Sequence, residues 1–229
     1  MIIKPSIAFE DMRGSAGGVT ASKNKSRLYV KNRISPRNPN TSAQSTVRSR
    51  MTSHSKAWRS LTQSQRDAWD ESSKTTTGRR ELGEAAKISG FNYFMRCRNN
   101  LALIKAAAIT VPAEAAEFPQ FAIRSVSILK PAGQNPGQMC LDIDKDLPNN
   151  VIRATAPFGA GKANNPNGLR IVGINVEQGG EIPYNVYDGY VAKFGAELPV
   201  GQKIQFEVYI IDPDSGVASL RQTYIHTIG

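Results

Sequence analysis

The chain has 229 residues, with 29 Lys and Arg against 19 Asp and Glu, room for one or two domains of ordinary size. No run approaches the 18 or more apolar residues of a membrane span, and the opening MIIKPSIAFEDMR lacks the apolar core of a secretory signal, so no membrane partner is expected. Cys97 and Cys140 are the only cysteines, which argues against a disulfide framework and for two buried free thiols.

The surplus charge sits at one end. Residues 1–60 hold twelve Lys and Arg but only Glu10 and Asp11 as acids, while the remainder nearly cancels. Such asymmetry predicts an interaction tail for a negatively charged partner, either nucleic acid or an acidic protein surface. From Met12 to Pro39 almost nothing could build a core, and Gly14, Gly17 and Gly18 promise flexibility. Residues 1–40 therefore read as an extended basic docking arm, disordered when alone in water. Within it Leu28, Val30 and Ile34 alternate with Arg27, Tyr29, Lys31 and Arg33, the pattern of a strand with one apolar and one basic face. It is expected to lack a sheet of its own and to add to a partner's exposed edge. The expected docking residues are Lys23, Lys25, Arg27, Leu28, Tyr29, Val30, Lys31, Arg33, Ile34 and Arg37.

A helical segment over 41–110 follows the turn at Pro36 and Pro39. Thr41 with Gln44, and Thr62 with Gln65, each form a capping box: the hydroxyl accepts an orphan backbone N–H and the Gln side chain reaches back. Helices are expected at about 42–60, 63–72 and 88–108, with the polar run SSKTTTG as a loop. Val47, Met51 and Trp58, with His54 between, share one stripe of the first helix. Trp58 and Trp69 are expected to pack together in a helical hairpin, and Phe94, Cys97 and Leu101 to form a stripe on the third helix. Residues 111–119, with Pro112 and Pro119 near the ends, read as a linker.

Beyond Phe118 short apolar stretches alternate with turn signals at 121–130, 138–144, 150–156, 168–176, 186–194, 203–211 and 217–227. Seven strands over 120–229 predict an all-β sandwich, immunoglobulin-like or fibronectin type III-like, with a jelly roll or smaller barrel as the alternative. The fold class is thus α+β. Ile204, Phe206, Val208 and Ile210 alternate with Gln205, Glu207 and Tyr209, predicting one buried and one wetter face. Asp212, Pro213, Asp214, Ser215 and Gly216 predict a hairpin turn.

No catalytic constellation emerges, and no cofactor is expected. Gly159, Ala160, Gly161 and Lys162 lack the distal Gly and the following hydroxyl of a phosphate-binding loop. Asp142, Asp144 and Asp146 start like a calcium loop, but Leu147 and Arg153 occupy positions that require Gly and Glu. His54 and His226 have no ligand partners at metal spacing. An enzymatic or carbohydrate-binding role would fall to Tyr184, Tyr187 and Tyr190 as a sugar platform, although cross-strand packing explains them more simply.

Several co-ordered motifs carry a family resemblance. They are Gly14-Ser-Ala-Gly-Gly18, Tyr29-Val-Lys-Asn-Arg33, Asn38-Pro39-Asn40-Thr41 with Gln44 and Arg48, and Trp58-Arg-Ser-Leu61-Thr62 with Gln65, Arg66 and Trp69. Ser89-Gly90-Phe91-Asn92-Tyr93-Phe94 with Asn99, Asn100 and Leu101 forms a second block. Over residues 14–102 the chain resembles a family of tailed-phage and prophage structural proteins, departing at Lys31 where Arg is common. The resemblance implies a non-enzymatic virion component made in the host cytoplasm, present in multiple copies and bound to other virion proteins, with packaged DNA as a further partner. A nucleic-acid-binding protein that places its basic arm on phosphates is the alternative reading.

Overall fold

The computed structural model describes residues 2–3, 12–23, 28–34, 38–81, 84–114, 116–129, 137–175 and 182–229. The class is α+β, and the chain divides into two units. The first comprises residues 1–99 and 109–112, the second residues 100–108 and 113–229.

In the first unit, β1 (Ile2–Ile3), β2 (Gly14–Ala16), β3 (Val19–Lys23) and β4 (Leu28–Asn32) form an antiparallel sheet in the order β1-β4-β3-β2. The expectation of a strand without its own sheet is corrected here. β4 pairs with β3 from Val19 opposite Asn32 to Lys23 opposite Leu28, and with β1 on its other side; β3 in turn pairs with β2 across a two-residue loop, Ala16 opposite Val19, in which Gly17 takes φ 56°. Glycine enters that region without a Cβ penalty, so the hairpin closes where flexibility alone was expected.

Helix α1 (Ser42–Ser60) follows. The Thr41 hydroxyl accepts from Gln44 N, and the Gln44 side chain accepts from Thr41 N. Helix α2 (Gln63–Lys74) repeats the device with Thr62 and Gln65. It extends through part of the run expected as a loop. After it, β5 (Thr77–Glu81) pairs with β6 (Glu84–Lys87), so the polar run leads into a hairpin.

Helix α3 (Gly90–Leu103) begins where Ser89 Oγ accepts from Asn92 N. Gly90 sits so close to α2 that a Cβ would lie 2.6 Å from the Asp70 backbone nitrogen, and its own N–H donates to Asp70 Oδ1 at 2.9 Å. The aromatic packing differs in detail from expectation: Trp58 and Trp69 both pack on Phe94, at centroid distances of 5.3 Å each, and that shared ring is their link. Phe91 and Tyr93 complete the cluster at 5.6 Å from Trp58 and Trp69 respectively. Trp69 Nε1 also donates to Thr110 O at 3.0 Å.

In the second unit, α3 ends five residues before the expected 108. Lys105 takes φ 57° and Ala106 N–H donates to Leu101 O at 3.0 Å, the six-to-one bond of a left-handed helix stop.

Two antiparallel sheets make up the rest. Strands β7 (Ile123–Leu129), β8 (Gln138–Ile143) and β11 (Tyr184–Asn185) give the order β11-β8-β7. Strands β9 (Asn150–Ala154), β10 (Arg170–Asn175), β12 (Lys203–Ile210) and β13 (Gln222–Thr227) give β10-β9-β12-β13. Met139, Leu141 and Ile143 from one sheet share a core with Ile152, Val172, Ile204, Phe206 and Val208 from the other.

Three expectations for this unit are corrected. Most of 186–194 is not a strand but helix α4 (Tyr187–Phe194). Tyr190 and Phe194, four residues apart, stack at 5.1 Å, a pairing that helical spacing creates. Secondly, β12 has no wet face: Gln205, Glu207 and Tyr209 are buried. Gln205 accepts from Asn165 N at 2.7 Å, and Glu207 is bridged by Arg153 at 2.7 Å and Arg221 at 3.4 Å. Tyr209 packs with Ile104, Val151 and Ile211 in a second cluster. Finally, the 212–216 turn is held by the buried Asp212 carboxylate, which accepts from Ser215 N, Ser215 Oγ and Ala116 N, and Ile211 bridges to Ala218 directly after it, but the regular last strand begins only at Gln222.

Candidate functional site

The arm sheet is the candidate site, and its register sorts its side chains. Thr20 lies opposite Lys31 and Ser22 opposite Tyr29, while Ala21 lies opposite Val30 and Lys23 opposite Leu28. Because side chains alternate along each strand, Ser15, Thr20, Ser22, Tyr29 and Lys31 share one face. The Ser15 and Thr20 hydroxyls hydrogen-bond at 2.9 Å across it. Arg33 N–H donates to Gly18 O at 2.7 Å, which carries the ladder one residue beyond β4 and puts Arg33 on that face too. The opposite face carries Ala16, Val19, Ala21, Leu28 and Val30, bordered by Lys23 and Asn32, with Met12 and Ile34 beyond the strand ends.

Leu28 is buried, but Met12, Val19 and Ile34 are 42%, 41% and 78% exposed. A shallow depression of about 250 Å³ runs over this surface, lined by Met12, Gly14, Ala16, Val19, Ala21 and Val30 among others. Of the expected docking residues, Lys23, Leu28, Tyr29, Val30, Lys31, Arg33 and Ile34 belong to or adjoin the sheet. Lys25, Arg27 and Arg37 lie outside the described residues.

Entry into α1 is fixed by a clasp that spacing alone did not reveal. Arg48 donates to Asn38 Oδ1 at 2.6 Å and to Asn40 Oδ1 at 3.4 Å, and Asn40 takes φ 48°. Asn38, Thr41, Gln44 and Arg48 therefore act together as a helix-start device. The packing expected of Val47 and Met51 is corrected: they are 58% and 42% exposed, while His54 is buried and Trp58 half-buried. Packing of this stripe begins at its C-terminal half, where Trp58 meets Phe91 and Phe94. Phe94 and Leu101 are buried.

His54 has neither ring nitrogen in a hydrogen bond. Burial pushes its pKa down, and the Arg98 and Arg50 guanidiniums push the same way. The folded value thus lies below the unfolded one near 6.5, and the unfolded chain takes up the proton more readily. The resulting stability is present above about pH 6.5 and is lost as pH falls through the folded value. Urea unfolding followed by Trp emission, which reports Trp58 and Trp69 alone, should show a lower midpoint at pH 5 than at pH 7.5. The wild-type loss should exceed that of His54→Leu; an equal loss would assign the pH dependence to other groups.

The remaining sequence candidates do not converge. Tyr184, Tyr187 and Tyr190 are buried, which removes them as a sugar platform. Tyr184 Oη donates to Asp146 at 2.8 Å and accepts from Leu147 N at 3.0 Å. Asp144 accepts from Ala122 N at 2.9 Å, and among the described residues no group of three or more His, Cys, Asp or Glu could hold a metal ion. Lys162 N–H donates to Gly159 O in an exposed turn. Burial raises the Cys97 thiol to about 11 and also raises that of Cys140, so neither is an activated nucleophile at neutral pH. Among the described residues no helix is long and apolar enough to cross a membrane.

Comparison with protein-family models, with curated proteins and with solved structures finds no match.

Proposed function

We propose that this chain is a non-enzymatic structural component of a tailed-phage virion, held among neighbouring virion proteins through its N-terminal sheet and helices. The observation that carries the reading is the partly exposed apolar face of the arm sheet, with Val19 exposed on it and Met12 and Ile34 exposed at its ends. A sheet this small buries little on its own, and laying that face on a neighbouring subunit removes apolar surface from water at about 25 cal/mol per Å². The phage-like motifs add support, because Asn38, Thr41, Gln44, Arg48, Thr62 and Gln65 all serve to position helices, as an assembly protein requires.

For the second unit we read an immunoglobulin- or fibronectin III-like sandwich. Numbered from β7, its strands pair as 1-2-5 and 4-3-6-7. The pairings of first, second and fifth strands, and of third, sixth and seventh, are those of the immunoglobulin sheets. The fourth strand lies beside the third, as in fibronectin III domains.

The test uses particles of the phage that encodes the chain, lacking its gene and supplied with the full chain in trans. Mass spectrometry of purified particles should find the wild type at a fixed multiple-copy ratio to the other structural proteins. Val19→Glu with Ile34→Glu should lose incorporation at least tenfold while keeping the wild-type Trp emission. Particles complete without the wild-type chain would overturn the virion reading; undiminished incorporation of the double variant would overturn the docking face.

A further inference from the structure

We propose that the hydroxyl- and cation-bearing face of the N-terminal sheet binds the phosphate backbone of double-stranded DNA. Residues 12–66 contain twelve Lys and Arg and no Asp or Glu, so no acid of this stretch neutralises the face. Lys31 and Arg33 stand two residues apart on it, both exposed, with Ser15, Thr20, Ser22 and Tyr29 around them. Every one of these side chains can donate a hydrogen bond, and none is acceptor-only. Cations mixed with hydroxyls are the set that contacts phosphate oxygens in protein–DNA interfaces.

The division of labour between the two faces favours DNA over an acidic protein here. Protein interfaces bury an apolar or aromatic centre and are depleted of charge there. Across β2, β3 and β4 the aliphatic residues lie on the other face, and on this one only Ile2 of the edge strand β1, opposite Tyr29, joins the cations and hydroxyls. A duplex instead offers about one charge per 1.7 Å of axis, which rewards a face whose centre is cations and hydroxyls. It also favours duplex over single strand, since a single half-buried tyrosine provides no stacking platform for successive bases. Backbone contact carries no sequence information, so the binding is sequence-independent.

The probe is a fluorescein-labelled 30-base-pair duplex titrated with the full chain, followed by anisotropy between 50 and 300 mM salt. Lys31→Gln with Arg33→Gln is compared with Lys56→Gln with Arg59→Gln on α1, an equal loss of charge at another place. Losing two phosphate contacts lowers the slope of log affinity against log salt by about 1.8, hence about 60-fold in affinity at 0.1 M salt. The α1 pair should change affinity less than threefold. No duplex binding at 50 mM salt overturns the proposal, as does an equal effect of the two variants, which would mean net charge without a site. Polyglutamate of matched charge competing as well as unlabelled duplex would assign the face to an acidic protein and also overturn it. Far-UV circular dichroism establishes that both variants fold. The measurement needs no particle, so its outcome is independent of the virion test.

Discussion

Trp69→Ala should destabilise the helical unit by about 3–5 kcal/mol, the range for removing a large aromatic from a core. Trp69 is fully buried, meets Phe94 at 5.3 Å and Tyr93 at 5.6 Å, and donates its indole N–H to Thr110 O. Truncation leaves a cavity between α2 and α3 and deprives that carbonyl of its partner, and the two losses act together. The remaining tryptophan, Trp58, makes the effect measurable, because it is the sole indole left and sits on the same Phe94 ring. Its emission in a urea titration should shift to a midpoint at least about 1 M lower. Trp69→Phe should recover much of the loss, since it restores most of the apolar volume but not the indole donor. A midpoint within about 0.3 M of wild type for Trp69→Ala would mean that the aromatic cluster does not hold the helices together.

Gly189→Ala is expected to be comparably damaging in the second unit. A Cβ at this position would lie 1.8 Å from Val172 O and 2.9 Å from Val172 C, atoms of the β10 backbone that cannot rotate away. Helix α4 must then lift from the sheet, and it carries Tyr187 and Tyr190 in the core. Overpacking generally costs about 1–3 kcal/mol, and a backbone obstacle puts this case at the upper end or above. Hydrogen–deuterium exchange of peptides spanning 170–194 should accelerate strongly, with loss of thermal stability. Gly161→Ala, where a Cβ meets nothing within 4 Å, is the control and should leave exchange unchanged. Wild-type protection in Gly189→Ala would show that α4 does not lie this close to β10.

Such contrasts show what kind of information a sequence carries. The two helix starts are written within four residues each, Thr41 with Gln44 and Thr62 with Gln65, and the structure uses both boxes. The segment 186–194 is expected as a strand, yet Tyr187, Tyr190, Val191 and Phe194 recur at the i, i+3, i+4 and i+7 spacing of a helix, a period overlooked among the neighbouring short strands. What only the tertiary structure shows is where that helix lies, with Gly189 in close approach to β10. The polar alternation of β12 likewise suggested a wet face, yet Gln205 and Glu207 are buried by partners from distant segments, Asn165 and Arg153. Tyr184, read as a possible platform residue, is drawn inward by Asp146 and Leu147, 38 and 37 residues away.

The candidate site divides along the same line. Composition alone located the basic region, and alternation alone separated Leu28, Val30 and Ile34 from Tyr29, Lys31 and Arg33, because a strand's period of two is a local property. That these residues belong to a sheet within the chain, with Val19 and Ala21 beside the apolar row and Thr20 and Ser22 beside the basic one, was decided by pairing across the Gly17-Gly18 turn and across residues 24–27. Charge and capping are read from neighbours in sequence. Which face is covered, and by what, depends on neighbours in space, and tertiary packing supplies those only once the chain has closed on itself.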